Sequence, residues 1–310
     1  MLQTGRSSAP IFIIGAPRSG TSVTNWAIGQ HPNIQVMPET AWIASYVTGA
    51  FSSFNKGSER GKFSHLSNVD FPRDRYLHHI AHSIDGIIHE AYEMRCQRLY
   101  GEYKTEGIGV NAGNKNPGYQ VRRSSDDPKS RWIDATPLNT QFTWALAQVF
   151  PNARFIHNLR DPVSVASSLE HFDRVGAQSQ ALSSGLETWI QHTDNAWLTE
   201  KAFGSSRVFR LEFERLEREP AIVLREVLHF LEEDWCEDCL EPLATRTNSS
   251  EVEDSGSKAI KRLSFIRNYK KARNLYEELL SDRITDEECG SSELELERRF
   301  DRHLTQRPLL

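Results

Sequence analysis

Cysteine is scarce. Four cysteines in 310 residues, widely scattered, leave no basis for a disulfide framework. Long apolar runs are also missing. None approaches the ~18 residues that a membrane helix needs, and the mean hydropathy is −0.55. Positive charge is not in excess either: 37 Lys and Arg against 42 Asp and Glu leave a formal net charge of −5. Generic nucleic-acid binding needs a basic face, so nucleic acid is not an expected partner, although one local basic pocket is compatible with this balance. The first ten residues, MLQTGRSSAP, lack the apolar stretch of a secretory signal. The first strand candidate starts about ten residues after Met1, so neither an N-terminal anchor nor membrane attachment is expected, and the expected location is cytoplasmic. There is no internal repeat and no low-complexity tract. Cys236-Glu-Asp-Cys239 is a lone CxxC with His229 as the nearest further ligand, short of the four a zinc site takes, so no metal is expected.

What is present is enough to build a core: 38% hydrophobic and 25% charged residues. Ile11-Phe-Ile-Ile14 reads as a buried strand, followed by a turn-rich loop and a helix over 21–30 that His31-Pro32 ends. A second strand is expected at 34–37 and an apolar segment at 41–47. Residues 48–72 are rich in Ser, Gly and Asn and are expected to be loop. The spacing of Leu77, Ile80, Ile84, Ile87, Ile88 and Tyr92 predicts a helix over 73–99. A long surface excursion is expected over 101–130. Strands are then expected at 131–133, 154–159 and 207–211, and helices at 138–150, 162–171, 182–202, 220–231, 259–280 and 293–304, with a polar loop over 248–258. Cys96 and Cys289 are expected to be structural; Trp189, Trp197, Tyr269 and Tyr276 read as core. Alternating strands and helices imply one three-layer α/β/α domain over 1–310 with a mainly parallel central sheet. The core spans about 10–235, and the remainder is a polar loop and extra C-terminal helices.

The segment 11-IFIIGAPRSGTS-22 runs strand, glycine-bearing loop, helix start. It has the length of a nucleotide P-loop, but Thr21 stands where that loop has its lysine. Loop amides and a helix N-terminus favour an anion. The hydroxyls of Ser19, Thr21 and Ser22 add donors, and Arg18 adds a permanent cation with a planar donor fork. The alternative is an ordinary strand–turn–helix connection with Arg18 on the surface. A second strand ends in Arg160-Asp-Pro, followed by a helix carrying Ser164, Ser167 and Ser168. Ligands of open α/β sheets sit at the carboxyl ends of strands. Two strand-end arginines on separate βα units suggest a ligand with two anionic ends. The alternative is a local ion pair between Arg160 and Asp161.

These two segments resemble the sulfotransferases that use 3′-phosphoadenosine 5′-phosphosulfate (PAPS). PRSGTS at 17–22 resembles their 5′-phosphosulfate loop, which implies donor contacts from Pro17, Arg18, Ser19, Gly20, Thr21 and Ser22. FIHNLRDPVSVASS at 155–168 resembles their 3′-phosphate motif, which implies that Arg160 and Ser168 hold the 3′-phosphate. HPNIQVMPET at 31–40 is similar to tyrosylprotein sulfotransferases and related bacterial and heparan-type enzymes, and FERLEREP at 213–220 resembles a strand-end segment of the family. The resemblance covers about 10–235, with a weaker echo at 248–258 that implies nucleotide contacts from Ser249, Ser250 or Lys258. The alternative for the basic stretch from Lys258 through Lys261 and Arg262 is a solvated face. Two departures stand out. Ala135 sits where relatives often carry a lysine; Lys115 in the preceding loop is the candidate to replace that cation. Phe213 stands where many relatives have a tyrosine, which removes a hydroxyl while keeping a ring for stacking.

The resemblance implies sulfuryl transfer from PAPS, with adenosine 3′,5′-bisphosphate (PAP) as product, to a hydroxyl, less readily an amine, of a small-molecule or carbohydrate acceptor. Arg18 and the loop amides are then placed to stabilise the leaving phosphate. Glu39, at a strand's carboxyl end and at the position of the tyrosylprotein-type glutamate, is the expected general base and an acceptor contact. Its alternative is a helix-start carboxylate favoured by the dipole. His65 is a further acceptor-contact candidate in the early loop; His31, His78, His79 and His82 are weaker rival bases. The segments 48–72 and 101–130 are the candidates for acceptor recognition, and a homodimer is compatible with the chain. The competing classes are a P-loop kinase or NTPase, against which the missing lysine argues, and a sulfotransferase-fold protein that binds PAP without turnover.

Overall fold

A computed structural model of the chain describes residues 9–100, 124–175, 178–244 and 267–306. Five strands form one parallel sheet: β1 (Ile11–Ile14), β2 (Ile34–Val36), β3 (Arg131–Asp134), β4 (Arg154–Leu159) and β5 (Val208–Glu212). Their spatial order is β2-β3-β1-β4-β5. β1 is central, with Ile11 paired to Ile133 on one side and Ile14 paired to His157 on the other. Chain order reverses about β1, which makes the carboxyl ends of β1 and its neighbours the topological switch point, the place where open α/β sheets bind ligands.

Period-two alternation sends β1 side chains into two separate cores. Phe12 and Ile14 pack into one core with Trp132, Phe150 and Phe155; Ile11 and Ile13 pack into the other with Ile133 and Ile156. Both sets are fully buried, which explains the unbroken apolar run in a parallel strand. The first core is covered by α2 (Trp42–Ser58), α3 (Arg73–Tyr100), α4 (Thr143–Val149), α6 (Leu182–Arg207) and α9 (Gly290–Gln306). The second is covered by α1 (Thr21–Ile28) and α7 (Pro220–Phe230). The layers are therefore helix, sheet, helix. α5 (Pro162–Glu170) and α8 (Arg267–Ser281) pack on α6 in a third cluster around Trp189, with Trp197, Tyr269 and Tyr276. No helix of the described residues is long and apolar enough to cross a membrane.

Three expectations are corrected. Residues 48–58 are not loop: α2 runs on to Ser58, because Ile43, Ala44, Val47, Ala50 and Phe51 keep helical spacing and bury one face. The polar residues that suggested a loop lie mainly outside that face, and Thr48 returns its hydroxyl to the Ala44 carbonyl at 2.7 Å. The helix expected over 138–150 is split into a 3₁₀ turn at Pro137–Gln141 and α4. Cys96 is buried as expected, but Cys289 is exposed; neither forms a disulfide, nor do Cys236 and Cys239. The excursion over 101–130 and the polar loop over 248–258 fall wholly or mostly outside the described residues.

Candidate active site

Five side chains of interest leave the carboxyl ends of five different strands: Arg18 after β1, Glu39 after β2, Asp134 at the end of β3, Arg160 after β4 and Phe213 after β5. Parallel strands bring those ends to one edge, which is how residues up to 195 positions apart in the sequence share a site.

The loop after β1 is tightly held. The Gly15 amide donates to Thr140 Oγ1 at 2.9 Å, and that hydroxyl donates to the Gly15 carbonyl at 3.1 Å. Ser19 Oγ donates to the Ala16 carbonyl at 2.6 Å, so the buried Ser19 hydroxyl braces the loop from within. Gly20 has φ +93°, and a Cβ there would lie 2.2 Å from the Phe213 ring. Arg18 adopts φ +69°, a left-handed conformation that costs a side-chain-bearing residue strain and marks a constrained position. α1 has no side-chain cap, which leaves the amides of its first turn for an anion.

Arg18 and Arg160 meet across this loop. Arg160 Nη1 donates to the Arg18 carbonyl at 2.9 Å, and its guanidinium lies 4.7 Å from the Phe213 ring centroid. Arg18 Nε donates to Ser168 Oγ at 2.9 Å, and its guanidinium lies 5.2 Å from the Phe172 ring centroid. Burial, and then the facing Arg160 charge, lower the pKa of Arg18. Two like charges held together mark a place where a polyanion is welcome. The alternative pairing of Arg160 with Asp161 is overturned. Asp161 Oδ1 accepts from the Ser164 amide at 2.9 Å to cap α5, and Asp161 Oδ2 accepts from Arg273 at 2.6 Å. Among the described residues, Arg160 has no carboxylate partner within ion-pair distance.

Glu39 sits beside an unforeseen carboxylate. Asp134 is fully buried and accepts four hydrogen bonds: from Thr40 Oγ1 at 2.5 Å, the Thr136 amide at 3.0 Å, Thr136 Oγ1 at 2.6 Å and Asn139 Nδ2 at 2.6 Å. The Thr40 amide in turn donates to Thr136 Oγ1 at 2.7 Å. Glu39 is thus carried by a backbone fixed to the end of β3, with its own carboxylate exposed and making no hydrogen bond to a described residue. Partial burial, and then the negative charge of Asp134, raise the pKa of Glu39. Burial raises that of Asp134 as well, against the four donors, which lower it. At the start of α2, Trp42 and Tyr46 partly expose their rings, 6.4 Å apart between centroids.

The structure therefore brings Pro17, Arg18, Ser19, Gly20, Thr21 and Ser22 together with Arg160, Ser168 and Phe213, and sets Glu39 at the same sheet edge. It does not bring His65 there. His65 follows the far end of α2, and the 17 residues of that helix span about 25 Å from the Glu39 end. Lys115, Ser249, Ser250, Lys258, Lys261 and Arg262 lie outside the described residues. His31 is buried, with Nε2 3.1 Å from the Asp234 carbonyl, and His78, His79 and His82 lie on α3 away from this edge. Sequence reasoning missed Asp134, Thr40, Thr136 and Thr140. Their signal was the hydroxyl-rich segment Asp134-Ala-Thr-Pro137, read for the lysine it lacks rather than for the carboxylate it holds. Among the described residues, no three His, Cys, Asp or Glu side chains converge as metal ligands.

The profile of the Sulfotransferase family matches residues 10–237. An uncharacterized protein of Aquifex aeolicus (strain VF5) is 24% identical over 246 residues, covering 77% of this chain and 28% of that protein. The chain thus spans less than a third of the length of that curated relative. Among solved structures, the sulfotransferase domain of the Synechococcus PCC 7002 olefin synthase aligns with TM-score 0.50 at 18% identity, covering 91% of this chain and 98% of that one. A sulfotransferase from Alicyclobacillus acidocaldarius aligns with TM-score 0.47 at 18% identity, covering 90% and 98%.

Proposed function

Because the chain belongs to the sulfotransferase family, we propose that it transfers a sulfuryl group from PAPS to a hydroxyl of a small-molecule or carbohydrate acceptor. The observation that carries this reading is the meeting of Arg18 and Arg160 across one constrained loop, with Ser168 and Phe213 completing the group. The residues fit a doubly anionic nucleotide. The uncapped start of α1 offers amides to a 5′-phosphate, and the bare Gly20 lets Phe213 close against the loop. Arg160 and Ser168 would hold the 3′-phosphate, and Arg18 with the loop amides the 5′ end. When bound, PAPS supplies the transferable SO3 group on a phosphate that leaves as PAP.

The chain's own contribution is positioning and electrostatics. In the transfer, the acceptor oxygen forms a bond to sulfur as the bond from sulfur to the phosphate oxygen breaks. Charge grows on that phosphate oxygen, and Arg18 and the first-turn amides stabilise it there more than in the ground state. Glu39 takes the acceptor's proton. A raised pKa keeps this carboxylate a stronger base than an ordinary exposed one. Thr40, tied to Asp134 and Thr136, fixes the backbone that carries it. The rings of Trp42 and Tyr46 give an acceptor aromatic surface near the base, which suits an aromatic ring or the apolar face of a sugar. Turnover of radiolabelled PAPS against an acceptor panel, without Mg²⁺, tests the reading. Transfer to hydroxyl acceptors supports it. PAP binding without transfer favours a non-catalytic binder, and Mg²⁺-dependent use of ATP favours a kinase.

A further inference from the structure

The opposite edge of the sheet carries a second arrangement of chemistry-bearing side chains. α3 turns Leu77, Ala81, Ile84 and Ile88 into the core. The adjoining stripe, at spacings of four and three residues, carries His78, His82 and Asp85 along one side of the helix. With Ala81 they line a shallow surface recess whose other wall is Val149-Phe150-Pro151, the turn into the start of β4. Asp85 is anchored there, since Trp132 Nε1 donates to its Oδ1 at 2.8 Å. Trp132 lies near the amino end of β3, so the recess is at the amino edge of the sheet, across the molecule from Arg18 and Arg160.

Within the recess the two imidazoles face each other. Nε2 of His78 and Nε2 of His82 are 2.9 Å apart, and the rings stand at 88° with centroids 4.3 Å apart. One ring donates its N–H to the other. Both side chains are exposed, so neither apolar packing nor a buried partner fixes them in this pose. We propose that His78 and His82 chelate one divalent transition-metal ion of the nickel, copper or zinc type through their Nε2 atoms. A metal–nitrogen distance of ~2.0–2.1 Å with adjacent ligands at right or tetrahedral angles sets two nitrogens about 2.9–3.4 Å apart. The observed separation lies at the start of that range, so the backbone already offers the bite. Imidazole nitrogens select this class of ion over magnesium or calcium. On binding, the ion takes the place of the shared N–H, and the donating ring moves to its Nδ1–H tautomer. No third His, Cys, Asp or Glu among the described residues completes the set. Water fills the remaining positions, with the anchored Asp85 carboxylate on the same recess to accept from it. The proposal concerns this edge alone and makes no use of the transfer site.

Isothermal titration of the full chain with nickel sulfate, repeated with zinc chloride, tests it. One site per chain is expected. His78→Ala and His82→Ala should each weaken it by roughly tenfold or more, because the second imidazole binds at a high effective concentration. His79→Ala is the control and should stay within about twofold of the parent chain, since the His79 ring lies 6.2 Å from that of His78 and outside the recess. Melting measured in chelator establishes that the variants fold, and nickel should raise the melting point of the parent and of His79→Ala but not of the other two. No saturable binding at millimolar nickel, or equal affinity in His82→Ala and the parent, would overturn the assignment.

Discussion

Replacing Arg160 by alanine probes the donor site at a single charge. Arg160 has no carboxylate partner among the described residues; its contacts are the Arg18 carbonyl at 2.9 Å and the Phe213 ring at 4.7 Å. Removing it frees no buried anion, so the fold should survive. A hydrogen bond to a charged group is worth ~1.5–3 kcal/mol, which is roughly a ten- to 150-fold change in Kd. That loss should fall on PAP, which has a 3′-phosphate, and largely spare adenosine 5′-monophosphate, which lacks one. Isothermal titration of both nucleotides against the parent and Arg160→Ala gives four affinities and one difference. A loss for PAP at least tenfold greater than for the monophosphate is expected. Equal losses would refute the assignment of Arg160 to the 3′ end and leave it a generic support of the loop.

The remaining expectations rest on other parts of the molecule. Glu39→Gln should lower kcat by about a hundredfold or more, within the usual range for a positioned base, while PAP affinity stays within about threefold; turnover near the parent level would remove Glu39 from the chemistry. Because the pKa of Glu39 is raised by partial burial and by Asp134, kcat/KM should fall as pH drops through a value above the ordinary carboxylate range, and Glu39→Gln should lose that limb. Gly20→Ala places a Cβ 2.2 Å from the Phe213 ring at φ +93°, so it should cost about 1–3 kcal/mol in denaturant unfolding and weaken PAP binding. Glu200 lies buried between His157, at 2.7 Å, and Arg210, whose Nε donates to it at 2.9 Å. Burial opposes its ionisation, but these two partners outweigh burial and lower its pKa. Its stabilising contribution is therefore present above the unfolded carboxylate value and is lost as pH falls through the folded one. Glu200→Gln should cost about 3–5 kcal/mol near neutrality, with the gap in melting point narrowing in acid.

Some of this was legible in the sequence because the physics is local. A four-residue apolar run, a glycine-bearing turn and a helix start are contiguous, so the loop after β1 could be read from residues 11–22 alone. The meeting of Arg18 with Arg160 spans 142 positions. Only the strand-end placement of both, together with the motif resemblance, pointed to it. α2 was cut short because Ser, Gly and Asn from position 49 onward suggested loop, although Ile43, Val47, Ala50 and Phe51 carried the helical period that burial enforces. The same helix decides the place of His65, since a loop can fold back to the site whereas a further three turns of helix carry it away. Asp134 escaped notice for a different reason. A buried carboxylate is recognisable by its donors, and Thr40 reaches it from 94 positions away.

The central claim is that one cleft grips both ends of one bisphosphate. A crystal structure of the chain grown with PAP tests it most directly. The 5′-phosphate should lie on the amides of Gly20, Thr21 and Ser22 beside Arg18, with the 3′-phosphate within hydrogen-bond distance of Arg160 and Ser168. A nucleotide bound elsewhere, or one whose 3′-phosphate points to solvent while Arg160 stays on the Arg18 carbonyl, would contradict it.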